Sequence, residues 1–202
     1  MPAEDFKQLQ KDLYEHKIIH HAFIFSEPVK LTWSVSTVQF KVPVLTMLQN
    51  KLPREGENVR INISAHFVEK HQTQNVVGVI PAAHSTDSFV VFTAHYDHLG
   101  RMGKHVYFPG ANDNASGVSM LLNLAKYYAE KRETLRYNLL FIAFAGEEAG
   151  LIGSKYFTEN PLLPLDKIKM LMNMDLMGTG DEGLMVVNAS VFKSEFDIHE
   201  TG

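Results

Sequence analysis

Six side chains that could do chemistry together lie in four short stretches of the sequence. The stretches are HYD, GANDNASG, GEE and MD, and the side chains in them are His95, Asp97, Asp113, Glu147, Glu148 and Asp175. Glu147 and Glu148 are adjacent carboxylates, which repel each other and cost free energy to desolvate unless a positive charge is near. The pattern therefore indicates either the solvated start of a helix or a bound cation.

A cation in this protein would be bound by nitrogen and oxygen atoms. The chain contains no cysteine, so disulfides and thiolate metal sites are excluded. His95 and Asp97 project to the same face of an extended chain, so the imidazole could bind a metal while the carboxylate accepts its other N–H. Glu147 and Glu148 diverge, so one could bind the cation while the other acts as a general base toward water.

Three of the four stretches follow nearly continuous apolar runs, which are typical of strands covered on both faces of a sheet. The runs of this kind are NVVGVIP (75–81), FVVFTA (89–94), LLFIAFA (139–145) and IKMLMNM (168–174). Residues 116–132 have the spacing of an amphipathic helix. Alternating strands and helices predict parallel strands, and in such sheets ligands bind beyond the carboxyl ends. We therefore expect the chemically active side chains to converge there, with Asp113 in the loop before the helix.

The first third of the chain has a less regular pattern. The predicted elements are a helix at 3–16, strands at 22–25, 29–36 and 38–42, a strand that runs into a short helix at 42–52, and a strand at 59–67. The last of these, VRINISAHF, alternates strictly between apolar and polar residues. Such alternation predicts a half-exposed strand at the edge of a sheet.

Length and composition are those of a folded globular chain. With 202 residues, of which 45% are hydrophobic and 21% charged, the chain can bury a sizeable core. The formal net charge of −4 has the wrong sign for a nucleic acid or an anionic membrane as partner. No apolar run reaches the roughly 18 residues that a membrane span requires, and the charged N-terminal stretch is not a signal peptide. We therefore expect neither a nucleic-acid partner nor a membrane span.

The motifs together resemble those of a known enzyme family. The stretches that carry the resemblance are HYDHLG (95–100), GANDNASG (110–117), FAGEEAGLIGSKYF (144–157) and NMDLMG (173–178). They are similar to motifs of the zinc-dependent M28 peptidases, which are di-zinc exopeptidases and mostly aminopeptidases. The resemblance implies a phosphorylase/hydrolase-like fold, a three-layer α/β/α sandwich around a mixed, largely parallel sheet. It also implies a peptide substrate.

The resemblance implies a role for each of the six side chains. The ligands of two zinc ions would be His95, Asp113, Glu148 and Asp175. Asp113 would bridge the ions, and His95 and Asp175 would complete the site of one of them. Glu147 would be the general base that takes a proton from the attacking water and returns it to the leaving amine, and Asp97 would be the partner of His95. A cis peptide bond following Asp113 is also implied.

The sequence departs from the family pattern at one ligand. The family has a fifth ligand, a histidine well downstream of the NMD aspartate. Here the single histidine after Asp175 is His199, and its context EFDIHE does not resemble the family loop. We therefore expect one zinc site to be complete and the other incomplete in this chain. His98 and His105 lie near the site loops and either could be recruited, although we expect His98 to pack or to support a ligand instead.

The chain is accordingly expected to be a fragment cut at both ends from a longer peptidase. Residues 1–55 loosely resemble part of a protease-associated domain with its linker. Residues 56–202 resemble the zinc peptidase catalytic domain, incomplete at its C-terminus. We expect weak or no turnover from the fragment, and a parent protein that is secreted or periplasmic, as family members commonly are.

Two other functions fit the same motifs. A glutaminyl cyclase shares the fold and a single-zinc version of the site, although the sequence DNASG after the bridging position favours a peptidase. A non-catalytic binding module on the same scaffold is the second alternative. The presence of Glu147 and Glu148 together with His95 and Asp113 argues against a site that has lost its chemistry.

Overall fold

The chain forms two compact units in a computed structural model, one of residues 1–72 and one of residues 73–202. The structure describes residues 11, 12, 15, 22–40, 42–180, 183, 185–188, 190, 191 and 193. The sequence predicted a boundary near residue 55 between a protease-associated segment and a catalytic domain. That domain assignment stays a prediction, and the two units are described separately.

The described residues of the first unit contain one pair of parallel strands. Strand β1 (Phe23–Glu27) pairs with β2 (Val44–Leu48), and a short 3-10 turn, Gln49–Lys51, follows β2. These elements confirm the predicted strand at 22–25 and the predicted strand-to-helix transition at 42–52. The predicted helix at 3–16 lies outside the described residues except at residues 11, 12 and 15.

Three predicted strands of this unit are wrong. Residues 29–36, the described part of 38–42, and residues 59–67 are irregular, without a strand. Their apolar side chains are largely in solvent, for example Val29 with 82% and Ile63 with 54% of its surface exposed. A segment with alternating apolar and polar residues forms a strand only when a neighbouring strand pairs with it through backbone hydrogen bonds. The sequence pattern carries no information on that neighbour.

In the described residues of the second unit, four strands form a sheet in the spatial order β3 (Val76–Ile80), β7 (Asn138–Phe144), β4 (Phe89–His95) and β8 (Ile168–Asn173). A small separate hairpin of β5 (Arg101–Met102) and β6 (Val106–Tyr107) follows β4 in the sequence and precedes the first long helix. Strand β4 runs parallel to both β7 and β8, whereas β3 is antiparallel to β7. The predicted mixed, largely parallel sheet is therefore confirmed.

Among the described residues, one helix packs on each face of this sheet. Helix α1 (Gly117–Glu130) places Leu121 in a core cluster with Phe92 and Ala94 of β4. Helix α2 (Ile152–Glu159) places Phe157 in a second cluster with Val91. Successive side chains of a strand point to opposite faces, so the two clusters lie on opposite sides of the sheet. The unit thus has the three α/β/α layers that the family resemblance implies.

Burial is deepest in the two central strands. Val91, Leu140 and Ile142 are at most 1% exposed, and burying each such side chain stabilises the fold by roughly 1.5–3 kcal/mol. The outer strands of the described sheet are only half covered, with Val76 of β3 and Leu171 of β8 more than 50% exposed. The prediction that all four apolar runs are covered on both faces is therefore wrong for β3 and β8. None of the described helices is both long and apolar enough to cross a membrane.

The register of the central strands aligns their carboxyl ends. His95, the last residue of β4, is opposite Phe144, the last residue of β7. Thr93 of β4 is opposite Asn173, the last residue of β8, and its hydroxyl donates to the Asn173 side-chain oxygen over 2.7 Å. The loops that follow these three parallel strands therefore leave the sheet at the same edge.

Candidate metal centre

The structure brings the predicted metal ligands together at the carboxyl edge of the sheet. His95 ends β4, Glu148 follows β7, Asp175 follows β8, and Asp113 lies in the kinked segment Ala111–Ser116 before α1. Two groups of three potential ligands result, and within each group the ligand atoms lie within 4.8 Å of one another. The first group is His95, Asp113 and Asp175, and the second group is His98, Asp113 and Glu148.

The first group has the spacing of ligands around one small cation. His95 Nε2 is 3.1 Å from Asp113 Oδ1 and 3.6 Å from Asp175 Oδ1. Two ligand atoms each about 2.0–2.1 Å from a tetrahedral zinc are about 3.3 Å apart. The His95 side chain is only 5% exposed, whereas the two carboxylates are 44% and 43% exposed. The group therefore has a rigid, buried imidazole and a side that is open to a substrate.

The second group includes a residue that the sequence did not assign to the metal. His98 Nδ1 lies 2.7 Å from Glu148 Oε1 and 4.0 Å from Asp113 Oδ1. We had expected His98 to pack or to support a ligand, but its ring nitrogen faces two carboxylates directly. The signal available in the sequence was the second histidine of HYDHLG, three residues after His95 and in the same loop.

The imidazole of His95 is oriented by the backbone rather than by the Asp97 carboxylate. His95 Nδ1 is 3.1 Å from the carbonyl oxygen of Asp97 and 3.9 Å from its Oδ1, which is too long for a hydrogen bond. The Asp97 carboxylate is therefore within ion-pair distance of His95 without a hydrogen bond to it, and its predicted role as the partner of His95 stays a prediction. Because a carbonyl only accepts, Nδ1 carries the proton, and Nε2 is left free to bind a metal.

The Asp97 carboxylate positions the two glutamates instead. Its Oδ1 accepts the backbone N–H of Glu147 over 3.0 Å, and its Oδ2 accepts that of Glu148 over 3.2 Å. Each carboxylate oxygen thus satisfies one backbone donor in the turn after β7. Asp97 thereby connects the loop after β4 to the loop after β7 and positions the backbone from which the two glutamate side chains extend.

Asn114 fixes the position of Asp113 in a similar way. The Asp113–Asn114 peptide bond is cis, as the resemblance implied. The Asn114 side chain is 2% exposed, donates from Nδ2 to the carbonyl oxygen of Met174 and accepts the N–H of Gly117 at Oδ1, both over 3.0 Å. It therefore links the Asp113 loop to the residue before Asp175. No feature of the sequence distinguishes this asparagine from an ordinary turn residue.

The surroundings of Glu147 change the pKa of its carboxyl group. Burial raises its pKa above the usual value for a glutamate, and the negative charges of Glu148, Asp175 and Asp97 raise it further, against an opposing effect of His95. A raised pKa makes this carboxylate a better proton acceptor. Glu147 also lines a cavity of about 290 Å³, which it shares with His95 and Asp175.

The donor set fits zinc. Zinc is bound in proteins by imidazole nitrogen and carboxylate oxygen, and its catalytic sites combine three protein ligands with one open position. Each of the two groups offers three such ligands, and Asp113 belongs to both. His98 Nδ1 and Glu148 Oε1 are moreover buried and lack a hydrogen-bond partner among the described residues. A cation bound to both atoms would coordinate their lone pairs.

Curated proteins with similar sequences are peptidases by name, and some of them are named zinc metalloproteases. The chain is 33% identical over 156 residues to aminopeptidase YwaD of Bacillus subtilis, a match covering 76% of this chain and 32% of that protein. It is 34% identical over 113 residues to a protein of Pyricularia oryzae named "Probable zinc metalloprotease", covering 54% of this chain and 22% of the relative. The matches thus span a third or less of the length of these two relatives.

Among solved structures, a glutaminyl cyclase of an Acidobacteriales bacterium superposes with a TM-score of 0.43 and 22% sequence identity. The match covers 52% of this chain and 38% of the cyclase. A likeness of this size supports no argument about function. The sequence model of peptidase family M28, by contrast, matches residues 75–199, which is more than half of the chain and includes every predicted ligand. This chain therefore belongs to peptidase family M28.

Proposed function

We propose that this chain carries the catalytic centre of a zinc-dependent exopeptidase of the aminopeptidase type, which hydrolyses N-terminal peptide bonds. The proposal uses two zinc ions, Glu147 as the general base, and His95, Asp113, Glu148 and Asp175 as ligands. Membership of peptidase family M28 supports the class of reaction. The names of the relatives, an aminopeptidase and a zinc metalloprotease, support the type of peptidase and the metal.

One observation carries the proposal for the site. Ligand atoms from four separate segments of the chain converge at the carboxyl edge of the sheet with spacings near those around zinc. Acidic groups at a protein surface often cluster without a metal. Here, however, the buried imidazole of His95 donates a hydrogen bond from Nδ1 to the backbone carbonyl of Asp97. Its Nε2 points to Asp113 and Asp175. That arrangement presents a lone pair to the centre of the cluster.

The residues around the cluster account for the rest of the chemistry. When bound, a pair of zinc ions polarises the scissile carbonyl and lowers the pKa of water at the site. Glu147 would take the proton from the attacking water and return it to the amine of the leaving group. A carboxylate suits both transfers, because it can accept a proton and then release it when the peptide bond breaks. Asp97 keeps Glu147 in place through the backbone N–H.

Glu147→Gln tests the proposal. The amide keeps the size of the side chain but accepts no proton, so in the intact parent peptidase we expect turnover of an aminoacyl chromogenic substrate to fall by about 10²–10⁴-fold. The zinc content should not change, because Glu147 is not in either ligand group. The control is Glu159→Gln, an exposed carboxylate at the end of α2, which should leave turnover unaltered. Unchanged turnover in Glu147→Gln would refute the assignment of the base.

The two alternative functions give different results in the same experiment. A glutaminyl cyclase would release pyroglutamate from a peptide with an N-terminal glutamine, whereas an aminopeptidase would release the free amino acid. A binding module would retain a peptide without cleaving it. Product analysis by mass spectrometry after incubation with such a peptide distinguishes the three.

A further inference from the structure

His98 lies at the centre of an unexplained feature of the site. Its ring nitrogen Nδ1 and Glu148 Oε1 are 2.7 Å apart, yet the two atoms do not form a hydrogen bond of acceptable geometry, and both are buried. A buried polar atom without a partner costs roughly 1–3 kcal/mol. The two atoms form an ion pair when the imidazole is protonated, and when it is neutral their lone pairs face each other. A cation satisfies both lone pairs at once.

The surroundings hold the His98 ring in this orientation. Gly110 has φ of 66° in the loop before Asp113, and a Cβ atom built there would lie 3.0 Å from both Cγ and Cδ2 of His98. The backbone of Gly110 therefore packs directly against the carbon side of the ring, while Nδ1 faces Glu148. Only a glycine allows this approach without displacing the imidazole. The side chain of His98 is 21% exposed and that of Glu148 is 16% exposed, so both atoms sit inside the site.

Distances to Asp113 complete the group. His98 Nδ1 is 4.0 Å from Asp113 Oδ1, so its two measured separations, 2.7 and 4.0 Å, bracket the about 3.3 Å expected between ligands of one zinc. His98, Asp113 and Glu148 come from three different loops. The group therefore has the same composition of one imidazole and two carboxylates as the group of His95, Asp113 and Asp175.

We propose that His98 Nδ1 is a zinc ligand that completes, with Asp113 and Glu148, the second metal site of this chain. The inference rests on the proposed function, and it adds His98 to the four ligands that the family resemblance implies. Each zinc would then have three protein ligands and one open position, as catalytic zinc sites require. Because the zinc would bind at Nδ1, the proton of the neutral imidazole is on Nε2.

The zinc content of variants of the full chain tests the inference. We expect the unmodified chain, dialysed against buffered zinc, to contain about two zinc ions. His98→Ala and His98→Gln should each contain about one. Glutamine is the informative variant, because its amide can still donate a hydrogen bond to Glu148 but replaces the imidazole ligand. The matched control is His105→Ala, an exposed histidine in the turn between β5 and β6, which should retain two ions.

Nuclear magnetic resonance identifies the atom of His98 that binds zinc. In protein with ¹⁵N-labelled histidine, zinc should shift the Nδ1 resonance of His98, and no such shift should remain in Asp113→Ala. Two ions in His98→Gln would overturn the inference, because His98 would then be only a hydrogen-bond partner of Glu148. One ion in both the unmodified chain and His98→Gln would also overturn it. In either case Asp175→Ala, which removes a ligand of the other group, tests the proposed function separately. No zinc in the unmodified chain would overturn both.

Discussion

Single residues at this site act as much through the backbone as through their side chains, and Asp97 shows this most clearly. Its carboxylate accepts two backbone N–H groups, those of Glu147 and Glu148. In Asp97→Asn one of the two oxygens becomes an NH₂ group, which would face a backbone donor. An N–H left without an acceptor in this partly buried turn costs roughly 1–3 kcal/mol.

We therefore expect Asp97→Asn to lower the free energy of unfolding of the metal-free protein by about 1–3 kcal/mol. Urea unfolding followed by circular dichroism measures this change. The control is Glu130→Gln, an exposed carboxylate at the end of α1, for which we expect an unchanged midpoint. If Asp97→Asn unfolds at the same urea concentration as the unmodified protein, the hydrogen bonds to the glutamate turn contribute nothing to stability.

Residue types and strand ends were sufficient to predict most of the site, but not its contacts. The side chains of His95, Asp113, Glu148 and Asp175 converge as expected because parallel strands end at one edge of a sheet. His95 donates its hydrogen bond to the Asp97 carbonyl and not to the Asp97 carboxylate, because β4 ends at His95. Beyond a strand end the alternation of side chains no longer applies, and Asp97 turns toward the loop after β7. The position of His98 depends on the loop that follows, which no local pattern specifies.

At the scale of elements, the close packing of the first turn of helix α1 sets the distance between two of the ligand loops. Gly117, the first residue of α1, is in the α-helical region, with φ −64° and ψ −41°. A Cβ atom at this position would overlap Oδ1 of Asn114 and lie 2.5 Å from the carbonyl oxygen of Met174. These atoms belong to the loop of Asp113 and to the segment that leads to Asp175.

Gly117→Ala should therefore destabilise the protein although alanine is the better helix former. The gain in helix propensity is about 1 kcal/mol, whereas forcing a methyl group into close-packed backbone costs typically 1–3 kcal/mol. We expect a lower melting temperature and a weaker affinity for zinc, since the helix must move away from the two ligand loops. Ser119→Ala, on the exposed side of the same helix, controls for propensity and should not lower the melting temperature. Equal melting temperatures for Gly117→Ala and the unmodified protein would contradict the close packing.

The strands were predictable where burial alone determines them. The four apolar runs between residues 75 and 174 all form strands, because short continuous apolar runs are typical of strands in an α/β sheet. The alternating segment 59–67 is not a strand, because a half-exposed strand depends on a partner that the segment itself does not identify. The half-exposed faces of β3 and β8 follow from their outer positions in the described sheet. Strand order is a property of the whole chain, so a single run cannot reveal it.

At the scale of the whole molecule, the candidate metal centre connects segments that are far apart in the sequence. The ligands come from the end of β4, the loop before α1, the loop after β7 and the residues after β8. Without a cation this edge of the sheet concentrates negative charge, since Glu147, Glu148, Asp113 and Asp175 lie together in a chain of net charge −4. Bound zinc would neutralise that charge and join the four segments, which the unfolded chain cannot hold in one place.

Zinc should therefore stabilise the folded protein strongly. A ligand present at about 100 times its dissociation constant adds about 2.7 kcal/mol per site, if it binds only the folded state. We expect zinc to raise the melting temperature measured by scanning calorimetry, and a chelator to reverse the increase. Magnesium at the same concentration should have little effect, because it prefers six oxygen ligands and retains its water. In Asp175→Ala the increase should be smaller, since one site has lost a ligand. An identical melting temperature with zinc and with chelator would show that the cluster binds no metal, whatever its geometry.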